Sequence, residues 1–343
     1  MGKISKIRNV LCSAFAVCFL AAASSPAFFA DGGRQVVPIG SAVEITLDTQ
    51  GVIVAGYPPE SRSPAQEAGI LPGDIITAVN GTSVSSAEDM MACAEKLSDG
   101  ESAEITVTRG EETKTFSVTP AVTDDGSLSL GLWLRDSMSG LGTVTFYDPQ
   151  SGTFGALGHP VSDIDTGITV PVRSGQISET TVNDVVKGQA GTPGQLMGSF
   201  QGGDVYGDVR SNTICGIFGT LNDTSVANGK TAVEVASEDE IHTGEAVILS
   251  NISGQEVKEY TVEITRVYSG DDTRSMMIRV TDPELIAATG GIVQGMSGSP
   301  IIQDGKLIGA VTHVLVKDPT EGYGISIEKM LETADAPCFM LAA

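Results

Sequence analysis

Apolar positions in this chain come in short alternating or continuous runs broken by Gly, Asn and Asp, and few of them recur at helical spacing. From position 128 onward, residues 142–147, 168–172, 232–236, 260–265 and 276–280 are each rich in β-branched side chains. Strands at this spacing predict a mainly β region, a sandwich or a pair of barrels, rather than a βαβ fold. Helices are expected there only near 283–289 and 328–334. Residues 37–121 read differently. Gly51-Val52-Ile53-Val54 is a buried strand with glycine at its head, and 63–69 is a short helix closed by Gly69. Pro72-Gly73 and Asn80-Gly81 bracket a further strand. Ser85 or Ser86 caps a helix over 87–96, and two alternating strands follow, joined at Gly110-Glu111.

The first thirty residues stand outside this pattern. Lys3, Lys6 and Arg8 precede an apolar run over 10–23, then Ser24-Ser25-Pro26-Ala27. This is the layout of a secretory signal peptide or signal anchor, with Ser25-x-Ala27 as a small-x-small cleavage pattern. The run is short for a membrane span, and membrane contact is expected through this segment only. Forty-three Asp and Glu against 20 Lys and Arg give a formal net charge of −23, which argues against nucleic acid and against electrostatic attachment to an anionic membrane. Of five cysteines, Cys12 and Cys18 fall in the signal; Cys93, Cys215 and Cys338 are too widely spaced for a disulfide framework or a metal site. No cofactor or metal is expected.

The order G-V-I-V … S-P-A-Q-E-A-G-I-L-P-G-D-I-I-T-A-V-N-G … S-A-E-D-M resembles a PDZ domain of the bacterial, protease-associated kind. That resemblance implies peptide capture by strand addition: a loop over 48–52, with Gln50 and Gly51, offering backbone N–H groups, and a groove lined by Val52, Val54, Met90 and Met91. Asp48 would set like charge beside a terminal carboxylate, so an internal strand or a segment of the chain itself is the alternative ligand.

The chemistry concentrates in Gly295-Met296-Ser297-Gly298-Ser299-Pro300. Glycines on both sides let a tight turn display the Ser297 hydroxyl and aim the N–H groups of Gly295 and Ser297 at a bound carbonyl. Ser299 is the rival nucleophile, but it lacks the flanking glycine pair. Three histidines are candidates for the base. His159 leaves a short apolar run through Gly158 and can reach into a cleft. His313 alternates within a strand and is structural or lines a specificity wall, and His242 sits in acidic, surface-like sequence. Asp282, after a strand, is favoured over Asp163 to hold the imidazole. Asp165 is a further candidate near His159. Cys215 has apolar neighbours and reads as an inert core thiol.

Three stretches then carry a second resemblance: T-F-G-A-L-G-H-P-V-S-D-I-D-T, T-G-G-I-V-Q-G-M-S-G-S-P-I-I-Q-D-G-K-L-I-G-A-V-T-H-V and D-P-T-E-G-Y-G-I. They closely resemble the SpoIVB family of sporulation signalling serine peptidases. The resemblance implies a signal segment over 1–30, a PDZ domain over 37–121 and a chymotrypsin-like double β-barrel peptidase domain over 128–343. It also implies Ser297 as nucleophile, His159 as base and Asp282 as third member. The protein would act in the intermembrane space around a developing forespore. There it would cleave the extracytoplasmic part of a membrane-bound regulatory complex, and itself near 30–37, to trigger intramembrane proteolysis and late sigma factor activation. The alternatives are a non-catalytic PDZ/β-barrel tethering protein and a general quality-control protease, in which the PDZ unit usually follows the peptidase. Pro160 stands where an aliphatic residue is expected. Met296 stands where many relatives of this barrel carry an aspartate, which leaves open how the serine turn is held rigid.

Overall fold

The computed structural model describes residues 33–336 apart from 60–61, 125, 200–201 and 271–272. The signal features of residues 1–30 and Cys338 lie outside the described residues. Strand β1 (Ala42–Gly56) explains most of the architecture. Its first half alternates, with Val43, Ile45 and Leu47 buried and Glu44, Thr46 and Asp48 half-exposed, as in a stave with one wet face. From Gly51 to Val54 every residue is buried, so the strand passes from a one-sided to a two-sided environment. Gly51 marks the change. Its φ is +92°, and a Cβ there would lie 2.7 Å from the Ile76 carbonyl oxygen.

The second half of β1 opens the PDZ unit. Helix α1 (Pro64–Ala68) is capped by the Ser63 side chain and closed by left-handed Gly69. Strand β2 (Ile75–Val79), helix α2 (Ala87–Ala94), β3 (Ala103–Arg109) and β4 (Glu112–Val118) follow. Ser86 caps α2 by accepting from the Asp89 amide. Val52, Val54, Ile76, Met90 and Ile105 meet in one core. The chain then returns in β5 (Trp133–Asp148), whose first residues pair with the second half of β1 at Gly56↔Trp133, Val54↔Leu134 and Ile53↔Arg135.

Beyond that point β5 pairs with the first half of β1, from Asp48↔Ser137 to Ala42↔Thr143. With β6 (Thr153–Ala156), β7 (Val172–Glu179), β8 (Val205–Thr213) and β9 (Gly216–Leu221), the pairings close a circuit: β1–β5–β6–β9–β8–β7 and back to β1. Strand β1 therefore serves both the PDZ unit and this first six-stranded ring, and the bulk of the PDZ unit is an insertion between two of the ring's strands. Val43, Ile45, Leu47, Phe154 and Ile177 fill the ring.

A second barrel is closed from contiguous chain: β10 (Gly244–Ser253), β11 (Glu256–Val267), β12 (Met276–Val280), β13 (Pro300–Gln303), β14 (Lys306–Leu315) and β15 (Asp318–Ser326). Both expected C-terminal helices are present, α3 (Pro283–Thr289) between β12 and β13 and α4 (Ile327–Asp335) at the end. Met296, Ile248, Ile278 and Ile301 belong to the second barrel's core. Among the described residues no helix is long and apolar enough to cross a membrane.

Candidate active site

Two strained turns, one from each barrel, face each other across an open groove of about 790 Å³. The first barrel's turn follows β6. Leu157 and Gly158 both adopt left-handed backbone, at φ 70° and 71°. A Cβ on Gly158 would press against methyls of Thr312 and Ile325 at 2.9 Å. A left-handed leucine is unfavourable, and such strain persists where the surroundings over-determine it. Here it turns the chain so that His159 lines the groove. Asn212 pins the outgoing loop, accepting from the Val161 amide and donating to the Val161 and Val170 carbonyls.

The second barrel's turn is the serine loop. Gly295 and Gly298 have φ of 98° and 97°, and a Cβ on Gly298 would overlap the Thr143 carbonyl oxygen. The amides of Met296, Gly298 and Ser299 are taken by the carbonyls of Val293, Val311 and Met296. Among the described residues the amides of Gly295 and Ser297 donate to no protein acceptor. Two unspent N–H groups flanking a displayed serine are what an oxyanion site requires. Met296 is fully buried in the barrel core, so it anchors the turn by packing. Ser299 is also fully buried and donates to the Ser250 hydroxyl at 3.1 Å, which removes it as a nucleophile. Ser297 is half-exposed on the groove, its hydroxyl donating 2.7 Å to the Thr312 carbonyl.

His159 Nδ1 lies 2.8 Å from the Pro160 carbonyl. A carbonyl only accepts, so Nδ1 carries the proton and Nε2 is left as the basic nitrogen. Burial lowers the pKa of His159 below its ordinary value of 6.5, and the Pro160 bond opposes that shift without cancelling it. The ring stands 4.9 Å from that of His313. His313 is a groove residue whose pKa is lowered by partial desolvation, by His159 and by Arg274. His242 is an exposed residue paired with Asp304 at 2.8 Å. Cys93 and Cys215 are buried free thiols.

The acidic candidates are spent elsewhere. Asp282 is the N-cap of α3, one oxygen accepting from the Leu285 amide at 3.0 Å and the other from the Thr261 amide at 3.3 Å. It does not line the groove, and among the described residues no hydrogen bond joins it to His159. Asp163 accepts from the amides of Asp165 and Thr166 and the Thr166 hydroxyl, and pairs with Arg135. Burial would raise its pKa, but the Thr166 and Arg135 contacts hold it below the ordinary value. Asp165 pairs with Arg135 at 2.8 Å.

The expected peptide site is arranged differently from its sequence reading. Residues 48–52 are not a loop but the middle of β1, and the Gln50 amide is taken by the Pro171 carbonyl at 2.7 Å. Gly51 is at the strand's turning point. Val52 and Val54 are buried beside Met90, whereas Met91 is exposed. At Ile53 the strand is paired on both edges, with β2 on one side and β5 on the other. A segment of the chain itself thus fills the position of an added strand, because Trp133 to Arg135 is covalently led there. Asp136, at its end, accepts from the Ala87 amide at the start of α2 at 2.7 Å. The Pro160 and Thr312 carbonyls were missed by sequence reasoning, since backbone acceptors have no residue signature. Among the described residues no group of three or more His, Cys, Asp or Glu side chains is placed to hold a metal.

The model of the SpoIVB peptidase S55 family matches residues 126–331, and that of the PDZ domain matches residues 37–119. Among curated proteins, a probable periplasmic serine endoprotease DegP-like from Brucella suis biovar 1 is 30% identical over 166 residues, 45% of this chain and 31% of that protein. The chain thus spans under a third of the length of the curated relatives it matches. Among solved structures, the active form of the Rv3671c protease from M. tuberculosis aligns at 17% identity, with a TM-score of 0.32, over 59% of this chain and 76% of that one. The PDZ domain of the SdrC-like protein from Listeria monocytogenes aligns at 21% identity, with a TM-score of 0.23, over 25% of this chain and 87% of that one.

Proposed function

This chain belongs to the SpoIVB peptidase S55 family, and from that premise we propose that it is an exported serine endopeptidase of sporulation signalling. The observation that carries the catalytic part is one groove holding Ser297, His159 and two unspent amides. In this reading the Ser297 hydroxyl swings from the Thr312 carbonyl to Nε2 of His159, which takes its proton as Oγ attacks a peptide carbonyl. The Gly295 and Ser297 amides stabilise the oxyanion, a contribution of about 3 kcal/mol per donor in comparable sites. His159 then protonates the leaving amine, and water repeats the sequence on the acyl-enzyme.

The Pro160 carbonyl does part of what a triad acid does: it fixes the tautomer and the ring plane. Being neutral, it stabilises the imidazolium less than a carboxylate, so slow turnover is expected. Slow cutting suits a protease that delivers one signal. The family and the periplasmic DegP-like relatives support a substrate outside the cytoplasm: the extracytoplasmic part of a membrane-bound regulatory complex, whose cleavage starts intramembrane proteolysis and late sigma factor activation. Self-cleavage is expected within 30–37. Intact mass of purified wild type and Ser297→Ala over time tests the proposal. Wild type should lose an N-terminal segment that the alanine variant keeps. Equal processing of both would leave a tethering protein as the better account.

A further inference from the structure

The serine turn and the histidine turn come from different barrels, and one buried residue touches both. Thr143, in β5, is fully buried. Its amide donates to the Ser297 carbonyl at 3.0 Å, and its hydroxyl donates to the Gly295 carbonyl at 2.7 Å. Its own carbonyl accepts from the Leu157 amide at 3.2 Å, at the left-handed turn that aims His159. The two carbonyls it holds belong to the two ends of the turn carrying the unspent amides. We propose that Thr143 is the positioning residue of the peptidase reaction: it holds the oxyanion turn of Gly295–Ser297 open and sets it in register with His159.

This rests on the reading of Ser297 and His159 as nucleophile and base. It also answers the question raised by Met296. An aspartate there would tie the turn down by its charge. In this chain the buried Met296 side chain packs below and the Thr143 hydroxyl bonds from the facing barrel, with no charge involved. The bond has directional consequences. A buried carbonyl without a donor seeks another partner. The Gly295–Met296 peptide unit, held otherwise by the Met296 amide bond to the Val293 carbonyl, lies between the two peptide units that carry the unspent amides. Its rotation, eased by the freedom of glycine, turns them too. Loss of the hydroxyl therefore acts on amide orientation rather than on substrate contact. The remaining hydrogen bonds of Thr143 to the two turns are main-chain and persist whatever side chain is present.

The test uses the full-length protein and three side chains at this position. Thr143→Val keeps the shape and removes only the hydroxyl; Thr143→Ser restores it. A fluorophosphonate probe counts competent Ser297 sites, and kcat and KM are measured per labelled site on a peptide spanning 28–40 of this chain. Thr143→Val should lose roughly ten- to hundred-fold in kcat with KM unchanged, and Thr143→Ser should recover most of that loss. A valine variant with kcat per site near wild type overturns the proposal. So does a loss that appears only as fewer folded molecules, with serine failing to rescue. Wild type that the probe never labels at Ser297 removes the peptidase reading itself, and this proposal with it; labelled wild type beside an unaffected valine variant removes the positioning role alone.

Discussion

The two barrels reach the same shape by opposite routes. The second is closed by consecutive strands from Gly244 to Ser326, so each stave finds its partner nearby in sequence. The first gathers strands from Ala42 to Leu221 with most of a PDZ unit inserted between two of them. The turn that displays Ser297, with its fully buried Met296, belongs to the local barrel. His159 is carried by the non-local one and sits at the exit of a left-handed turn. Chemistry at the groove therefore depends on a long-range closure that also frames the PDZ unit. The barrel that carries Ser297 closes within its own stretch of chain, although Thr143 of the other barrel bonds to its serine turn, whereas the barrel that carries His159 needs strands from far apart in sequence.

Replacing Ser297, the proposed nucleophile, gives the largest expected effect. Ser297→Ala should lower kcat/KM on the order of 10⁶-fold, as in comparable serine peptidases, while leaving the unfolding midpoint near wild type. Measuring both on one preparation checks that the serine turn stores no stability of its own. Next comes a core truncation in each barrel. Leu47→Ala and Ile278→Ala each empty a buried site and should cost about 2–5 kcal/mol. Trp133, the single tryptophan, lies where β5 meets the PDZ unit. Its fluorescence in a urea titration should follow Leu47→Ala closely and Ile278→Ala weakly. Equal shifts would mean that the two barrels unfold as one.

A smaller effect is expected at Asp282. Loss of the α3 cap in Asp282→Ala should cost about 1 kcal/mol in denaturant unfolding, with kcat/KM within roughly three-fold of wild type. A thousand-fold fall in activity would instead make Asp282 the acid behind His159 and Pro160 a bystander. The smallest is a pH effect. As the proposed base His159 must be neutral to accept a proton, and burial lowers its pKa, so activity should persist below pH 6.5 and vanish as pH falls through that lowered value. His313→Asn removes a ring 4.9 Å from that of His159 and opens the groove to water, easing the burial that lowers the His159 pKa. It should move the acid limb of kcat/KM to higher pH; a limb that stays put would show that the neighbouring ring does not contribute to the desolvation of His159.

Much of this was legible from residue order. The glycine-flanked Ser297, the strand-end His159, the mainly β fold and both C-terminal helices follow from patterns within about ten residues. The glycine frame and the neighbouring Pro300 favour Ser297 over Ser299, and of the two only Ser297 reaches the groove. What stayed hidden is non-local or belongs to the main chain. An aspartate followed by Pro283 reads equally well as a triad acid or a helix cap, and only three-dimensional placement distinguishes them. The PDZ resemblance implies a loop at position 50; the distant pairings that flank it, Asp48 with Ser137 and Ile53 with Arg135, and the bond of its own amide to the Pro171 carbonyl make it continuous strand. No local signal in Gly142-Thr143-Val144 announces that one hydroxyl reaches a loop 152 residues away.

The insertion of the PDZ unit within the first barrel has a consequence for how the chain is assembled. As the polypeptide emerges, residues 42–49 must wait for staves that are made much later, and an idle β-strand with free edges invites wrong partners. The intervening module can fold first, and in doing so it brings Gly56 and Trp133 side by side. The long loop between the two staves is then already shut, and most of its entropy has been lost before the barrel begins to form. An inserted recognition module thus also acts as a folding splint, and cutting it away would be expected to cost the barrel its first strand pair.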